Sequence, residues 1–428
     1  MVPLSYTGAM VPRAPTSRWV LCAAAMLPCL VAGPSAGGAQ VGAVPAPAWA
    51  RSAEIVDDGA VVYREPRAGA PRRGTVASGT RLAVRRRVAG DGCSTGFWVE
   101  IDDGAFVCEQ RVRYASLPPA GVAQPPMRSG RILPYAYAFV GTDGTRAYAH
   151  PSDYDADQYV EAFGEGFGLI VAGHQTYAGI PFARTRRGLW VERESLRFVG
   201  GSGFQGVVLA EGEGLDLAWV TARGASALNQ VNGRAVRRVG HREVVHVAEE
   251  PTRSTVRLTD GTFMRARDLA RARPAPRPEG VGPTERWIDV DVDQQVLVAY
   301  EGDRPVFATL VSSGRALRTH ETPVGEFRIW IKLATSNMDD LERQDVSSNY
   351  SIEGVPWVQY FEGSNGFHAA FWHDDFGRRR SHGCVNLSPQ DARWLFDFTL
   401  PVLPAGWYAI LPTDQDPGTL VRVRSDGR

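Results

Sequence analysis

Lysine is nearly absent from this chain of 428 residues: Lys332 is the only one, and arginine supplies the remaining positive charge. That is a bias of composition, because 47 basic residues balance 47 acidic ones. A chain of zero net charge lacks the electrostatic footprint of a polyanion binder, so no nucleic-acid partner is expected. Cysteine is also scarce, with five in all. Helical patterning is sparse, whereas short strand-type runs, glycine and proline are frequent, so a mainly β chain is expected. The length exceeds one ordinary hydrophobic core and implies several domains.

Acidic residues are missing altogether before Glu54, and this stretch looks like an export signal. Arg13 and Arg18 precede an apolar run from Trp19 to Gly33, and Gly37-Gly38-Ala39 offers a small-residue cleavage site, so residues 1–39 are expected to be a signal peptide. The run is shorter than the roughly 20 apolar residues of a membrane span and is broken by Pro28. Membrane association is expected only through an uncleaved signal. The expected destination is the periplasm or cell envelope.

Two of the cysteines, Cys22 and Cys29, fall inside that signal. Cys93, Cys108 and Cys384 remain, which suggests one bridge and one odd thiol. Cys93 and Cys108 are neighbours in sequence and form the natural pair. Closing a loop of about 15 residues stabilises by ~3 kcal/mol. Cys384 is left over, and an unpaired thiol in an oxidising compartment is a liability unless it is used.

Along the chain, residues 40–51 read as a disordered Ala/Pro/Gly linker. Three segments then align: Asp103-Gly104-Ala105-Phe106-Val107, Arg187-Gly188-Leu189-Trp190-Val191 and Asp260-Gly261-Thr262-Phe263-Met264. Each has a turn residue, a glycine, a variable residue and a large apolar pair. An aliphatic follows at a fixed offset: Val112, Leu196 and Leu269. The glycine suits a tight hairpin, and the aromatic is expected to plug a small core. The units resemble bacterial Src-homology-3-like barrels, with expected bounds 52–117, 128–212 and 213–272; generic hairpins of one larger β domain are the alternative for the later two. A Pro-rich linker follows at 273–285, then a β-rich block at 286–412 and a polar tail at 413–428. In the block, Ile288, Val290 and Val292 alternate with Asp289 and Asp291 as in a strand. Ser388, Pro389 and Asp391 mark the start of one helix packed on it.

Chemistry concentrates late in the chain. Ser381-His382-Gly383-Cys384-Val385-Asn386 places a cysteine directly after a His-Gly pair, and His368 lies upstream in Gly366-Phe367-His368-Ala369. An imidazole that takes a thiol proton makes a nucleophile for acyl transfer. Together with Thr322-Pro323-Val324-Gly325-Glu326-Phe327, these motifs resemble the L,D-transpeptidase (YkuD-type) catalytic domain over about a third of the chain. The resemblance implies a peptidoglycan enzyme without a cofactor. Such enzymes cleave a stem peptide between an L-centre and D-Ala, hold the acyl group as a cysteine thioester and pass it to an amine, giving a 3→3 cross-link.

Residue by residue, the resemblance makes Cys384 the nucleophile and His368 the general acid and base. The Ala369 carbonyl would orient the imidazole; relatives usually carry Gly or Ser there. The backbone N–H groups of Gly383 and Cys384 would hold the oxyanion, and His382 and Ser381 would support the loop. Trp372, His373 and Tyr360 are candidate walls of a substrate cleft, although packing under a loop explains Trp372 and Tyr360 equally well. Asn386 stands where relatives have Asn or Arg. Arg378, Arg379 and Arg380 could meet substrate carboxylates, but a solvated charge run is the simpler reading. A zinc site built from His368, His373, His382 and Cys384 is the rival chemistry; no paired-ligand motif accompanies these residues, and no metal is expected. The competing functions are a hydrolase that releases D-Ala to water and a wall-binding protein whose catalytic domain has lapsed.

Overall fold

The computed structural model describes residues 43–248, 254–316, 319–339 and 351–426. The expected signal peptide lies outside them. Residues 41–428 cluster as one unit. Among the described residues the chain is mainly β with a single α-helix, and none of its helices is long and apolar enough to cross a membrane.

Three times the chain builds a hairpin, a 3-10 turn and a short strand. The turns are Glu109–Arg111, Arg193–Ser195 and Ala266–Asp268, and the strands after them are Val112–Ala115, Leu196–Val199 and Leu269–Arg271. The aliphatics that recur in sequence close these turns: the N–H groups of Val112, Leu196 and Leu269 return to the carbonyls of Glu109, Arg193 and Ala266. The recurring glycines, Gly104, Gly188 and Gly261, all have positive φ, a conformation costly for other residues. One expectation is corrected. Val107, Val191 and Met264 enter the main core of each unit, and of the aromatics before them only Phe106 is buried in a core, a smaller cluster on the other face. Strand side chains alternate faces, so Phe106 turns toward the Cys93–Cys108 disulfide, and Trp190 and Phe263 stay half-exposed.

In the last block, strands Arg286–Asp291, Val296–Glu301 and Arg304–Leu310 pair antiparallel in sequence order. The expected polar tail is corrected here. Residues Leu420–Arg424 form a strand that pairs parallel with Arg286–Asp291 and antiparallel with Gly325–Arg328. Val421 and Val423 enter the apolar core, and the arginines that alternate with them find buried acids. Asp289, only 1% exposed, receives Arg422 and Arg424 at 2.8 Å each, and Arg424 also meets Asp291 at 3.0 Å. The aspartates that alternate with the aliphatics of this strand are therefore buried and paired.

A second sheet carries Ile331–Asp339, Ser351–Glu362, Asn365–Ala369 and Val385–Leu387. Its continuation through Trp407–Ile410 pairs with Arg72–Val76 of the first hairpin unit, and Ile352 pairs with Gly168 of the second. The helix Pro389–Phe398 begins where Ser388 caps the Asp391 N–H, and its Leu395 and Phe396 join Ile288, Leu297 and Phe367 in the core. Residues 273–285 are not a free tether: Tyr300 Oη accepts the Ala275 N–H, and Arg273 pairs with Asp426 at 2.7 Å.

Candidate active site

Two neighbouring parallel strands carry the candidate residues. His368 lies opposite Asn386 and Phe367 opposite Val385, so Cys384 enters its strand beside the one that holds His368. His368 is 2% exposed, and its Nδ1 is 3.2 Å from the Ala369 carbonyl. A carbonyl only accepts, so Nδ1 carries the ring proton and Nε2 keeps its lone pair. Burial pushes the imidazole down to about 4, only partly offset by that carbonyl. Burial likewise pushes the Cys384 thiol up to about 11, eased by the Gly366 backbone. Both shifts favour neutral partners, so the resting pair is thiol and imidazole, not thiolate and imidazolium.

The cysteine loop is held from both sides. Ser381 Oγ donates to the Cys384 carbonyl and accepts the Gly383 N–H at 3.1 Å. Thr322 Oγ1 donates to the Gly383 carbonyl at 2.8 Å and accepts the Gly314 N–H at 2.9 Å. Gly383 has φ +128°, and a Cβ there would run into Asn365 Oδ1. Here the expected role of Gly383 as an oxyanion donor meets an obstacle: its N–H is already given to Ser381. His382 is half-buried and meets His320 edge to face, with ring centroids 4.4 Å apart.

Trp372 stacks on the His368 ring at 5.7 Å. His373 Nε2 lies 3.1 Å from the Asn386 side-chain amide, and its Nδ1 is 3.3 Å from the Asp375 N–H. Tyr360 is half-buried; burial raises its phenol, and nearby Cys384 adds to the rise. It stacks on Trp330, an exposed aromatic that sequence reasoning did not single out. Thr322 was recognised only as part of a motif, and Asn365 sits in a hairpin with no sequence signal of its own. Two residues of the arginine run meet their own chain's carboxylates: Arg380 pairs with Asp375, and Arg379 lies 3.4 Å from Asp293. Cys93 and Cys108 are bonded with Cα atoms 5.5 Å apart, and Cys384 is free. Among the described residues, no group of three or more His, Cys, Asp or Glu side chains is arranged to hold a metal ion.

The sequence profile of the L,D-transpeptidase catalytic domain (YkuD) matches residues 285–423. A putative L,D-transpeptidase of Bacillus subtilis, YciB, is 27% identical over 125 residues, which cover 26% of this chain and 59% of that protein. An L,D-transpeptidase structure from Xylanimonas cellulosilytica aligns at 24% identity with a TM-score of 0.25, covering 36% of this chain and 65% of that one. The catalytic domain of an E. faecium L,D-transpeptidase aligns at 23% identity with a TM-score of 0.25, covering 33% of this chain and 98% of that domain. The chain thus spans less than two thirds of the first two relatives. The stretch that holds His368 and Cys384, residues 285–423, is similar to the L,D-transpeptidase catalytic domain.

Proposed function

We propose that this protein is an exported peptidoglycan L,D-transpeptidase, with Cys384 as nucleophile and His368 as general acid and base. The observation that carries the reading is the free thiol on a glycine-shaped loop beside a buried imidazole whose Nδ1 is already committed. That commitment leaves Nε2 to take the Sγ proton as sulfur attacks the carbonyl between the L-centre and D-Ala. The C–N bond breaks, and the departing D-Ala amine takes the proton back from Nε2. The acyl group stays on Sγ as a thioester. An acceptor amine then attacks the thioester and gives its proton to Nε2, the C–S bond breaks, and Nε2 returns that proton to Sγ, which leaves a new amide as a 3→3 cross-link and the free thiol.

The neutral resting pair fits an oxidising compartment, because a protonated thiol resists oxidation until substrate excludes water and promotes proton transfer. The Cys384 N–H is the first candidate for the oxyanion, and the Gly383 N–H can join it only if Ser381 releases it. Trp372, His373, Tyr360 and Asn386 form the cleft walls. The three hairpin units are read as Src-homology-3-like modules that hold the enzyme against the wall.

Mass spectrometry after incubation with a carbapenem tests the reading. One covalent adduct is expected on the intact protein and none on Cys384→Ala. With disaccharide tetrapeptide as donor, cross-linked dimer is the expected product. Tripeptide without dimer would make the protein a hydrolase, and no adduct on folded wild type would leave a lapsed wall-binding protein.

A further inference from the structure

The segment between the two candidate catalytic strands, residues 370–380, carries Trp372 and His373 yet has no regular secondary structure. A loop that walls a reacting centre must be held by its neighbours. This one is gripped from outside its own block. Asp374 Oδ2 receives Arg242 Nη2 at 2.6 Å, and its other oxygen receives Arg242 Nη1 and the Ser202 hydroxyl. Arg242 belongs to the third hairpin unit and sits in a turn at φ +63°. Its guanidinium lies 5.4 Å over the Phe204 ring, which stacks on Phe376 at 5.9 Å. Gly377 fits against the same unit: a Cβ there would come within 3.0 Å of Thr221 Cγ2.

An isolated ion pair at a surface would mean little. This one differs in three respects. It is two-pronged, its arginine side chain is only 19% exposed against 55% for the Asp374 side chain, and an aromatic stack continues it into the core. Asp374 directly follows His373, and Trp372 stacks on His368. The chain of contact from Arg242 to the imidazole therefore runs through the three consecutive residues Asp374, His373 and Trp372.

We propose that Arg242 is a positioning residue: by fixing the Asp374 carboxylate it holds Trp372 and His373 against His368, so the centre is complete only with the third unit docked. The inference rests on the proposed function for its activity readout but not for its geometry. The third unit thereby belongs to the catalytic machinery as well as to any anchoring of the enzyme.

The test uses the full chain with Arg242→Met, Arg242→Lys, Asp374→Asn and the swap Arg242→Asp/Asp374→Arg. Arg242→Met and Asp374→Asn should each lower the limiting rate of carbapenem acylation about tenfold, as small misplacements of catalytic groups do, with little change in the concentration for half-maximal rate. Arg242→Lys should recover only part, because an ammonium cannot grip both oxygens, and the swap should recover most. The ring-nitrogen NMR signals of His368 and His373 should shift in Arg242→Met and return in the swap. Unchanged rates and unchanged histidine signals would overturn the inference. So would a rate loss that tracks the thermal midpoint and is not restored by the swap. If wild type takes no carbapenem, the proposed function fails, and the histidine signals alone decide the role of Arg242.

Discussion

Alkylation of Cys384 separates two kinds of cysteine–histidine site. In one, the resting state is an ion pair, and the thiolate reacts readily from mildly acid pH upward. Here burial raises the thiol to about 11 and lowers the imidazole to about 4. From an ordinary value of 9.0, that rise cuts the thiolate population at neutral pH by about a hundredfold. Cys384 keeps partial exposure, which tempers the effect, so a loss of roughly ten- to a hundredfold is expected. In protein lacking residues 1–39, and with them Cys22 and Cys29, the assay is clean because Cys93 and Cys108 are bonded and Cys384 is the one free thiol among the described residues. Iodoacetamide should label the folded protein that much more slowly than the urea-unfolded, unreduced protein at pH 7.5. The folded rate should climb about tenfold per pH unit up to at least pH 9.5. His368→Ala should change the resting rate little, since a neutral imidazole does not stabilise a thiolate. A rate plateau between pH 5 and 8 that collapses in His368→Ala would refute the neutral pair.

Three further outcomes follow from the structure. Thr322→Val removes the hydroxyl that joins the Gly314 N–H to the Gly383 carbonyl, and carbapenem acylation should fall at least tenfold while the fold persists, read by stopped-flow and circular dichroism. Asp289→Ala leaves Arg422 and Arg424 without their shared acceptor and should cost about 3 kcal/mol in urea unfolding; a loss under about 0.5 kcal/mol would mean the pair is solvated. Lys332 is fully buried, gives Nζ–H bonds to the Phe396 and Thr399 carbonyls at 2.6 and 2.8 Å, and is lowered to about 7 by desolvation. Its folded value lies below its unfolded 10.5, so the unfolded chain holds the extra proton between them and stability should rise with pH, by roughly 2–3 kcal/mol from pH 7 to 9. Lys332→Met should flatten that slope, and an equal slope in both proteins would count against the lowered lysine.

Much of the local architecture is legible in the sequence because its causes are local. A glycine with positive φ, a 3-10 turn closed three residues back and an alternating apolar face all lie within about a dozen residues, which is why the three hairpin units align by their residues alone. The helix cap at Ser388 is of the same kind. The faces are harder. Which core Phe106 and Val107 each enter depends on which side of the strand meets which partner, and those partners lie elsewhere in the chain.

The candidate site divides along the same line. Sequence alone marked Cys384 as the odd thiol and His368 as its companion, because these assignments depend on residue chemistry and short spacing, and the family resemblance added Thr322 as part of their motif. Tertiary structure decided what surrounds them. It buried Asp289 and Asp291 by bringing Arg422 and Arg424 from the far end of the chain, committed the Gly383 N–H to Ser381, and set Arg242 on Asp374. Each depends on charges or hydrogen-bonding groups finding partners that the folded chain brings to them, and burial, which sets whether the thiol rests neutral or ionised, exists only once the chain has packed.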